Sequence, residues 1–302
     1  MGSGIMIQKI KDGDVKTLAR CISLVENEAG DYKNILVNLP NSNTPVIGLT
    51  GPPGAGKSTL TDALISHIVA EGKRVGVLCV DPSSPFNLGA VLGDRIRMSK
   101  WYTHDRVFIR SLASRGSMGG LNPKIIEITD VMKASNFDLI VVETVGVGQS
   151  EIEIAGLADI TVVVLVPEAG DEIQTMKAGL MEIADIFAVN KSDRPGADIF
   201  AKNLRMMLAP AFSRTQKEIP IVSTVAHKNE GVDKLYDAIK KYTAGNGNRE
   251  KKAWLLTEKV SHIVQKQRMK DFVKPEIKKL IEKQMVMPDF NLYKFVSQQF
   301  AV

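Results

Sequence analysis

Along the chain, short β-branched runs alternate with longer stretches in which apolar residues recur every three or four positions. The runs lie at Pro45–Thr50, Arg74–Val80, Val107–Arg110, Phe137–Glu143, Ile160–Val166, Ile183–Asn190 and Ile219–Thr224. Several are apolar without alternation, as a parallel strand covered on both faces requires. The stretches between them carry helical spacing. The segment from Thr44 to about Tyr242 is therefore predicted to be α/β, a doubly wound, mostly parallel sheet with its functional loops at the carboxyl ends of the strands.

The flanks are helical without strands. Val15, Leu18, Ala19, Ile22 and Val25 share one face of a helix predicted over Asp14–Glu28. The polar run Thr243–Glu250 ends the α/β segment. Beyond it, Trp254, Leu255, Ile263 and Val264 mark one helix. Phe272, Val273, Ile277, Leu280 and Ile281 mark a second with Pro275 near its start, and Asn291–Phe300 suggests a third. The expected division is an N-terminal helical extension over 1–43, a nucleotide-binding domain over 44–243 and a C-terminal helical arm over 244–302. Such an arm is either a packed cap or an oligomerisation element.

Composition narrows the function classes. The 302 residues are 44% hydrophobic and 24% charged, an ordinary globular balance. The net charge of +5 is spread along the chain, and its densest basic runs, Arg249–Lys252 and Lys278-Lys279, read as solvated helix faces rather than a nucleic-acid surface. Cys21 and Cys79 are far apart, which fits a reducing compartment. No stretch approaches the roughly 18 apolar residues of a membrane span. Met1-Gly2-Ser3-Gly4 reads as a cloning remnant, with Met6 as the natural start. The expected location is cytoplasmic, or an organelle lumen after loss of a transit peptide.

The chemistry sits at strand ends. Gly51-Pro-Pro-Gly-Ala-Gly-Lys57-Ser58-Thr59 follows the first strand and opens a helix, the required setting of a phosphate-binding loop. Gly51, Gly54, Ala55 and Gly56 let backbone N–H groups cradle phosphate oxygens, aided by the helix N-terminus. Lys57 is expected to reach the β- and γ-phosphates, and the Ser58 hydroxyl to ligate Mg²⁺. Val189-Asn190-Lys191-Ser192-Asp193 ends another strand. The Asp193 carboxylate suits the two adjacent N–H donors of guanine, a pair that adenine lacks. Asn190 addresses the other edge and the Lys191 stem lies along the base, so GTP and GDP are the expected nucleotides rather than ATP. Ser223-Thr224-Val225-Ala226 either supplies a backbone N–H to the guanine oxygen or is an ordinary strand exit.

Three acids are candidates for the metal and water shell. Asp81 ends the second strand, Asp94 lies in Gly93-Asp-Arg-Ile-Arg97, and Glu143 ends the fourth. Mg²⁺ keeps several waters, so not all three can ligate directly. Asp94 is either a switch ligand or a helix-capping acid. Glu143-Thr-Val-Gly146 resembles the loop that watches the terminal phosphate, with Gly146 as the sensor. Val147 stands where many GTPases carry a water-orienting Gln, and Gln149 lies too far along to replace it. The four histidines show no metal-ligand spacing.

Taken in order, five motifs carry a family likeness. They are the phosphate loop, Val80-Asp-Pro-Ser-Ser-Pro85, Gly93-Asp-Arg-Ile-Arg-Met98, Val142-Glu-Thr-Val-Gly-Val-Gly-Gln-Ser-Glu151 and Asn190-Lys-Ser-Asp193. Together they resemble the MeaB/ArgK group of P-loop GTPases, which includes the methylmalonic aciduria type A protein. The likeness extends to Gly13-Asp-Val-Lys-Thr-Leu-Ala-Arg20 and the helical tail.

The resemblance implies a SIMIBI-type G domain and a homodimer joined through the C-terminal helices. It also implies a chaperone role toward an adenosylcobalamin-dependent acyl-CoA mutase, chiefly methylmalonyl-CoA mutase, with GTP hydrolysis as the timer. Lys57 and Ser58 would hold phosphate and Mg²⁺, Asp81, Asp94 and Glu143 would form the acidic shell, and Asn190 and Asp193 would read guanine. A further switch, matched by Gly170-Asp-Glu-Ile-Gln-Thr-Met-Lys177, would bring Gln174 or Lys177 to the nucleotide when the mutase docks. Other implied clients are isobutyryl- and hydroxyisobutyryl-CoA mutases. A transport-system kinase using ATP is opposed by Asn190 and Asp193, and a nickel metallochaperone by the lack of a Cys/His cluster.

Overall fold

The computed structural model describes residues 2–81, 98–114, 121–146, 154–169, 183–215, 219–244, 249–269, 272–287 and 290–300. Contacts divide the chain into two compact units, Met1–Lys252 and Ala253–Val302.

In the first unit all seven predicted runs become strands: β1 Val46–Thr50, β2 Val75–Asp81, β3 Val107–Ala113, β4 Leu139–Glu143, β5 Ile160–Leu165, β6 Ile186–Val189 and β7 Ile221–Ser223. They form one sheet in the order β3-β2-β4-β1-β5-β6-β7, and every neighbouring pair is parallel. β2, β3 and β4 lie on one side of β1 and β5, β6 and β7 on the other. The loop after β1 thus opens at a topological switch point, where such sheets bind ligands.

The continuous apolar runs are explained by period-two alternation between two cores. Ile47, Leu49, Val77, Cys79 and Val141 point to one face, beneath helices α4 (Lys57–Ala70) and α7 (Val232–Ala244). Val46, Leu78, Val80, Ile140 and Val142 point to the other, beneath helix α5 (Ile125–Lys133) and the N-terminal helices. On the β5–β7 side, Phe187 and Val189 pack on Phe200, Leu204 and Leu208 of helix α6 (Ala197–Thr215).

The N-terminal segment holds more structure than its periodicity indicates. The predicted helix is α2, Val15–Glu26, whose N-cap Asp14 accepts a 2.9 Å hydrogen bond from the Thr17 N–H. Two shorter helices, α1 (Ser3–Lys11) and α3 (Tyr32–Val37), flank it. Met6, Ile10, Leu18, Ile22, Val25 and Ile35 are buried in the same cluster as the strand residues above. The segment is therefore one wall of the core.

This docking also explains why β3 runs three residues beyond its predicted end. Arg110 and Ser111 break the apolar run, yet they pair in register with Leu78 and Cys79. The Arg110 guanidinium donates to Glu26 (3.0 Å) and to the Ser23 hydroxyl (3.2 Å) of α2, so its charge is met inside the fold. β6, by contrast, is shorter than predicted. The Asp185 carboxylate accepts from the Thr161 N–H at 2.9 Å, and the Asn190 N–H turns to the Leu165 carbonyl at 2.7 Å.

The second unit contains the three expected tail helices. They are α8 (Arg249–Arg268, whose first residues belong to the first unit), α9 (Lys274–Gln284, with Pro275 in its first turn) and α10 (Leu292–Phe300). Phe295 is its buried anchor, ringed by Phe290 and Phe300 at 6.2 Å between centroids. No helix among the described residues is long and apolar enough to cross a membrane.

Candidate functional site: a nucleotide cleft at the carboxyl end of β1

The loop after β1 and the first turn of α4 form one wall of a cleft of about 390 Å³. Gly54, Gly56, Lys57, Ser58, Asp81 and Glu143 line it, and Thr59 and Lys191 reach its margin. Two glycines fix how closely the walls approach. Gly51 has φ +140°, and a Cβ there would run into the Val164 carbonyl of β5. Gly146 has φ +86°, and a Cβ there would strike the Lys57 ammonium and the Gly51 carbonyl. The loop after β4 is thereby pressed onto the phosphate loop.

Lys57 is buried and curls back over its own loop, donating to the carbonyls of Gly51 (2.9 Å) and Pro52 (3.1 Å). An ammonium parked on two carbonyls can exchange them for anionic oxygens with a gain, because charge-assisted bonds are the stronger ones. Beside it lies a buried hydroxyl–carboxylate network. The Ser58 hydroxyl donates to Glu143 Oε1 at 2.6 Å, and the Thr61 hydroxyl lies 2.8 Å from Glu143 Oε2. Asp81, at the end of the adjacent β2, is 3% exposed, so two acids from neighbouring strands face one cleft.

The donor set is hydroxyl and carboxylate oxygen, which suits Mg²⁺ and not a soft metal. No group of three or more His, Cys, Asp or Glu among the described residues could hold a metal ion. Mg²⁺ needs no such cage, since it binds through few protein oxygens and its own waters.

The residues expected to read the base lie at the ends of β6 and β7. Asn190 is 2% exposed. Its Nδ2 donates to the Ala55 carbonyl at 2.9 Å, and its Oδ1 accepts from the Ala226 N–H at 3.1 Å and the Thr224 hydroxyl at 3.2 Å. The side chain thus ties the phosphate loop to the 224–226 turn. The Ala226 N–H is engaged by Asn190 and the Val225 N–H by the Glu230 carbonyl (2.9 Å), so a guanine oxygen would share the Ala226 donor. Ser223, at the end of β7, is exposed.

Lys191 adopts φ +57°, and the Ser192 N–H donates to the Thr224 carbonyl at 3.0 Å, zipping the two loops together. Asp193 Oδ2 lies 3.3 Å from the Lys228 ammonium and 3.9 Å from the His227 ring. Burial opposes its charge, but the Lys228 hydrogen bond and a backbone N–H outweigh it and hold the carboxyl below its ordinary range. It is ionised at neutral pH, as a guanine reader must be.

The cleft is therefore lined by Gly54, Gly56, Lys57, Ser58, Thr59, Asp81, Glu143 and Lys191, while Gly51, Ala55, Gly146, Asn190 and Asp193 belong to the loops around it. Asp94, Val147, Gln174 and Lys177 lie outside the described residues. Thr61 and Lys228 were not singled out from sequence. A threonine three positions after Ser58 shares its helix face, but only the fold shows that Glu143 stands opposite.

A family model described as methylmalonyl-CoA mutase-associated GTPase MeaB matches residues 18–283. A putative GTPase of Pyrococcus horikoshii is 46% identical over 268 residues, covering 86% of this chain and 84% of that protein. A fused isobutyryl-CoA mutase of Geobacillus kaustophilus is 32% identical over 283 residues, covering 87% of this chain but 26% of that protein. A solved structure described as a LAO/AO transport system kinase superposes with TM-score 0.71 at 24% identity, over 94% of this chain and 90% of that one, and shares the fold. Phosphate loop, central switch point and matched family model agree: the chain belongs to the MeaB family of P-loop GTPases and hydrolyses GTP.

Proposed function

We propose that this GTPase is a chaperone of an adenosylcobalamin-dependent acyl-CoA mutase, chiefly methylmalonyl-CoA mutase. In this reading it gates cofactor loading and protects or reactivates the mutase, with GTP hydrolysis as the timer. One observation carries it: 87% of this chain is matched by 26% of a fused isobutyryl-CoA mutase, so a segment homologous to this GTPase is part of a mutase polypeptide. The family description, which names methylmalonyl-CoA mutase, favours that client.

The cleft residues divide the work. The Lys57 ammonium leaves the carbonyls of Gly51 and Pro52 for the β- and γ-phosphates, and the Gly146 N–H meets the γ-phosphate. Mg²⁺ would be held by the Ser58 hydroxyl, with Asp81 and Glu143 (and Asp94 as a switch ligand) behind it, and supplies charge neutralisation at the phosphate oxygens. Asp193 accepts from guanine N1–H and N2–H, while Asn190 holds the floor of the base site. Water attacks the γ-phosphorus, the bond to the bridging oxygen breaks, and GDP and phosphate leave.

No Gln stands at position 147 to orient that water. The isolated protein is accordingly slow, and mutase docking brings Gln174 or Lys177 to the γ-phosphate. A group supplied this way is worth roughly 10³–10⁵ in rate in other GTPases. The unpartnered apolar side chains of the second unit, such as Leu256, Val260 and Met285, fit a homodimer joined through these helices. Buried Cys21 and Cys79, neither of them in a disulfide, fit a cytoplasmic setting.

Two measurements test the proposal. Affinity for methylmalonyl-CoA mutase and for isobutyryl-CoA mutase is compared with GDP and with a non-hydrolysable GTP analogue bound. The expected result is a preference for the methylmalonyl enzyme that changes at least several-fold with the nucleotide, and equal affinities in both states remove the timer. In single-turnover hydrolysis, Lys177→Ala should abolish most of the mutase stimulation while leaving the basal rate nearly intact. Stimulation unchanged in both Lys177→Ala and Gln174→Ala refutes the trigger.

A further inference from the structure

Glu143 stands where GTPases usually carry an aspartate, and its longer side chain must be steered. The end of β4 places its carboxylate against the first turn of α4, where Ser58 and Thr61, three positions apart, share one face. Each carboxylate oxygen has its own donor: Oε1 accepts from Ser58 at 2.6 Å and Oε2 from Thr61 at 2.8 Å. Glu143 is 2% exposed and Thr61 fully buried, so this pairing is shielded from water. A threonine within a helix commonly returns its hydroxyl to the carbonyl four residues back, and the Lys57 carbonyl is available at 3.0 Å. The carboxylate is closer, at 2.8 Å, and charge makes it the stronger acceptor.

We infer that Thr61 is a positioning residue for the metal site: it fixes the Glu143 carboxylate, which in turn aims the Ser58 hydroxyl. For Ser58 to offer a lone pair to a cation in the cleft, its O–H must point away, and Glu143 Oε1 takes that hydrogen. Thr61 tethers Oε2 and so helps to hold Oε1 in this place. The neighbouring α4 residues Leu60 and Leu64 fill the same interior with aliphatic side chains, so packing alone does not call for a hydroxyl here. The inference rests on the Mg²⁺ assignment made above.

The test is dissociation of a fluorescent GDP analogue from the full-length protein across a Mg²⁺ titration, with an EDTA reference. Removing an outer partner of a metal ligand typically costs 10–100-fold in metal affinity. Thr61→Val should therefore raise the Mg²⁺ concentration that half-slows release by about tenfold or more, with the rate in EDTA close to wild type. Thr61→Ser, which keeps the donor, should stay near the wild-type midpoint. If Thr61→Val folds poorly, Thr61→Ala carries the same expectation. A valine or alanine variant with the wild-type midpoint overturns the inference, as does a release rate altered equally in EDTA and Mg²⁺. A wild-type protein whose release ignores Mg²⁺ would instead refute the metal assignment, a distinct outcome.

Discussion

At the scale of single residues, Gly146 carries the sharpest constraint in the cleft. Its φ of +86° disfavours any side chain, and a Cβ would strike the Lys57 ammonium and the Gly51 carbonyl. A non-glycine residue forced into such a conformation costs on the order of 1–3 kcal/mol before any collision is counted. Gly146→Ala keeps the N–H but must shift it, and should cut single-turnover GTP hydrolysis by roughly 10²-fold or more, the scale of effect when a donor at developing charge is taken out of place. Affinity for the non-hydrolysable GTP analogue should fall further than affinity for GDP if Gly146 meets the terminal phosphate as proposed. Calorimetric titration of both nucleotides checks this, and equal losses would mean that displaced Lys57 causes the defect. The contrast with Thr61 shows what was legible. Glycine and lysine in the phosphate loop announce themselves because backbone geometry and charge admit few alternatives. Asn190 is legible in its own motif, but the hydrogen bonds Thr61–Glu143 and Asn190–Ala55 join residues 82 and 135 positions apart, separations that carry no local signature.

At the scale of elements, the strands were readable for the reason their cores are dry. Both sheet faces are covered, so β1, β2, β4 and β5 are wholly buried along their lengths and unmistakably apolar. The apolar pattern of β3 ends at Arg110, whose charge is met by Glu26 of α2, so the strand's continuation through Ser111 to Ala113 has no signal in the hydrophobic pattern. The same interaction marks the N-terminal helices as structural. Leu18 and Ile22 are at most 1% exposed and lie in one cluster with Val46, Leu78 and Ile140. Ile22→Ala should destabilise the first unit by about 2–5 kcal/mol, the range for truncating a buried aliphatic side chain. Removing residues 2–37 would strip α5 and the strand residues of this cluster of their outer cover and should leave a chain that neither stays soluble nor retains guanine nucleotide. Chemical denaturation of the point variant and nucleotide retention by the truncated protein test the point. A truncated protein as stable as the parent would make these helices an appendage.

At the scale of the whole molecule, the tail helices were legible as helices but not in what they cover, because an amphipathic pattern does not name its partner. Along α8, Leu256, Val260, Ile263 and Val264 are between 39% and 59% exposed and fall at i, i+4, i+7 and i+8, one stripe on one helix face. Val286, Met287 and Tyr293, at 81%, 62% and 83%, add further apolar surface in the same unit. A contiguous apolar stripe of this kind is costly to leave in water, each fully buried aliphatic side chain being worth about 1.5–3 kcal/mol. Within the proposed homodimer the stripe has a self-complementary use, since a two-fold axis brings identical surfaces together. Leu256→Asp with Val260→Asp places two carboxylates in that seam and should convert the dimer to monomer at micromolar concentration, as read by light scattering. The cleft lies in the other unit, so GDP affinity of the variant should remain within about threefold of the parent, below ~0.7 kcal/mol. A variant that stays dimeric would move the interface elsewhere. One that becomes monomeric and loses nucleotide binding would show that the two units depend on each other through the assembly.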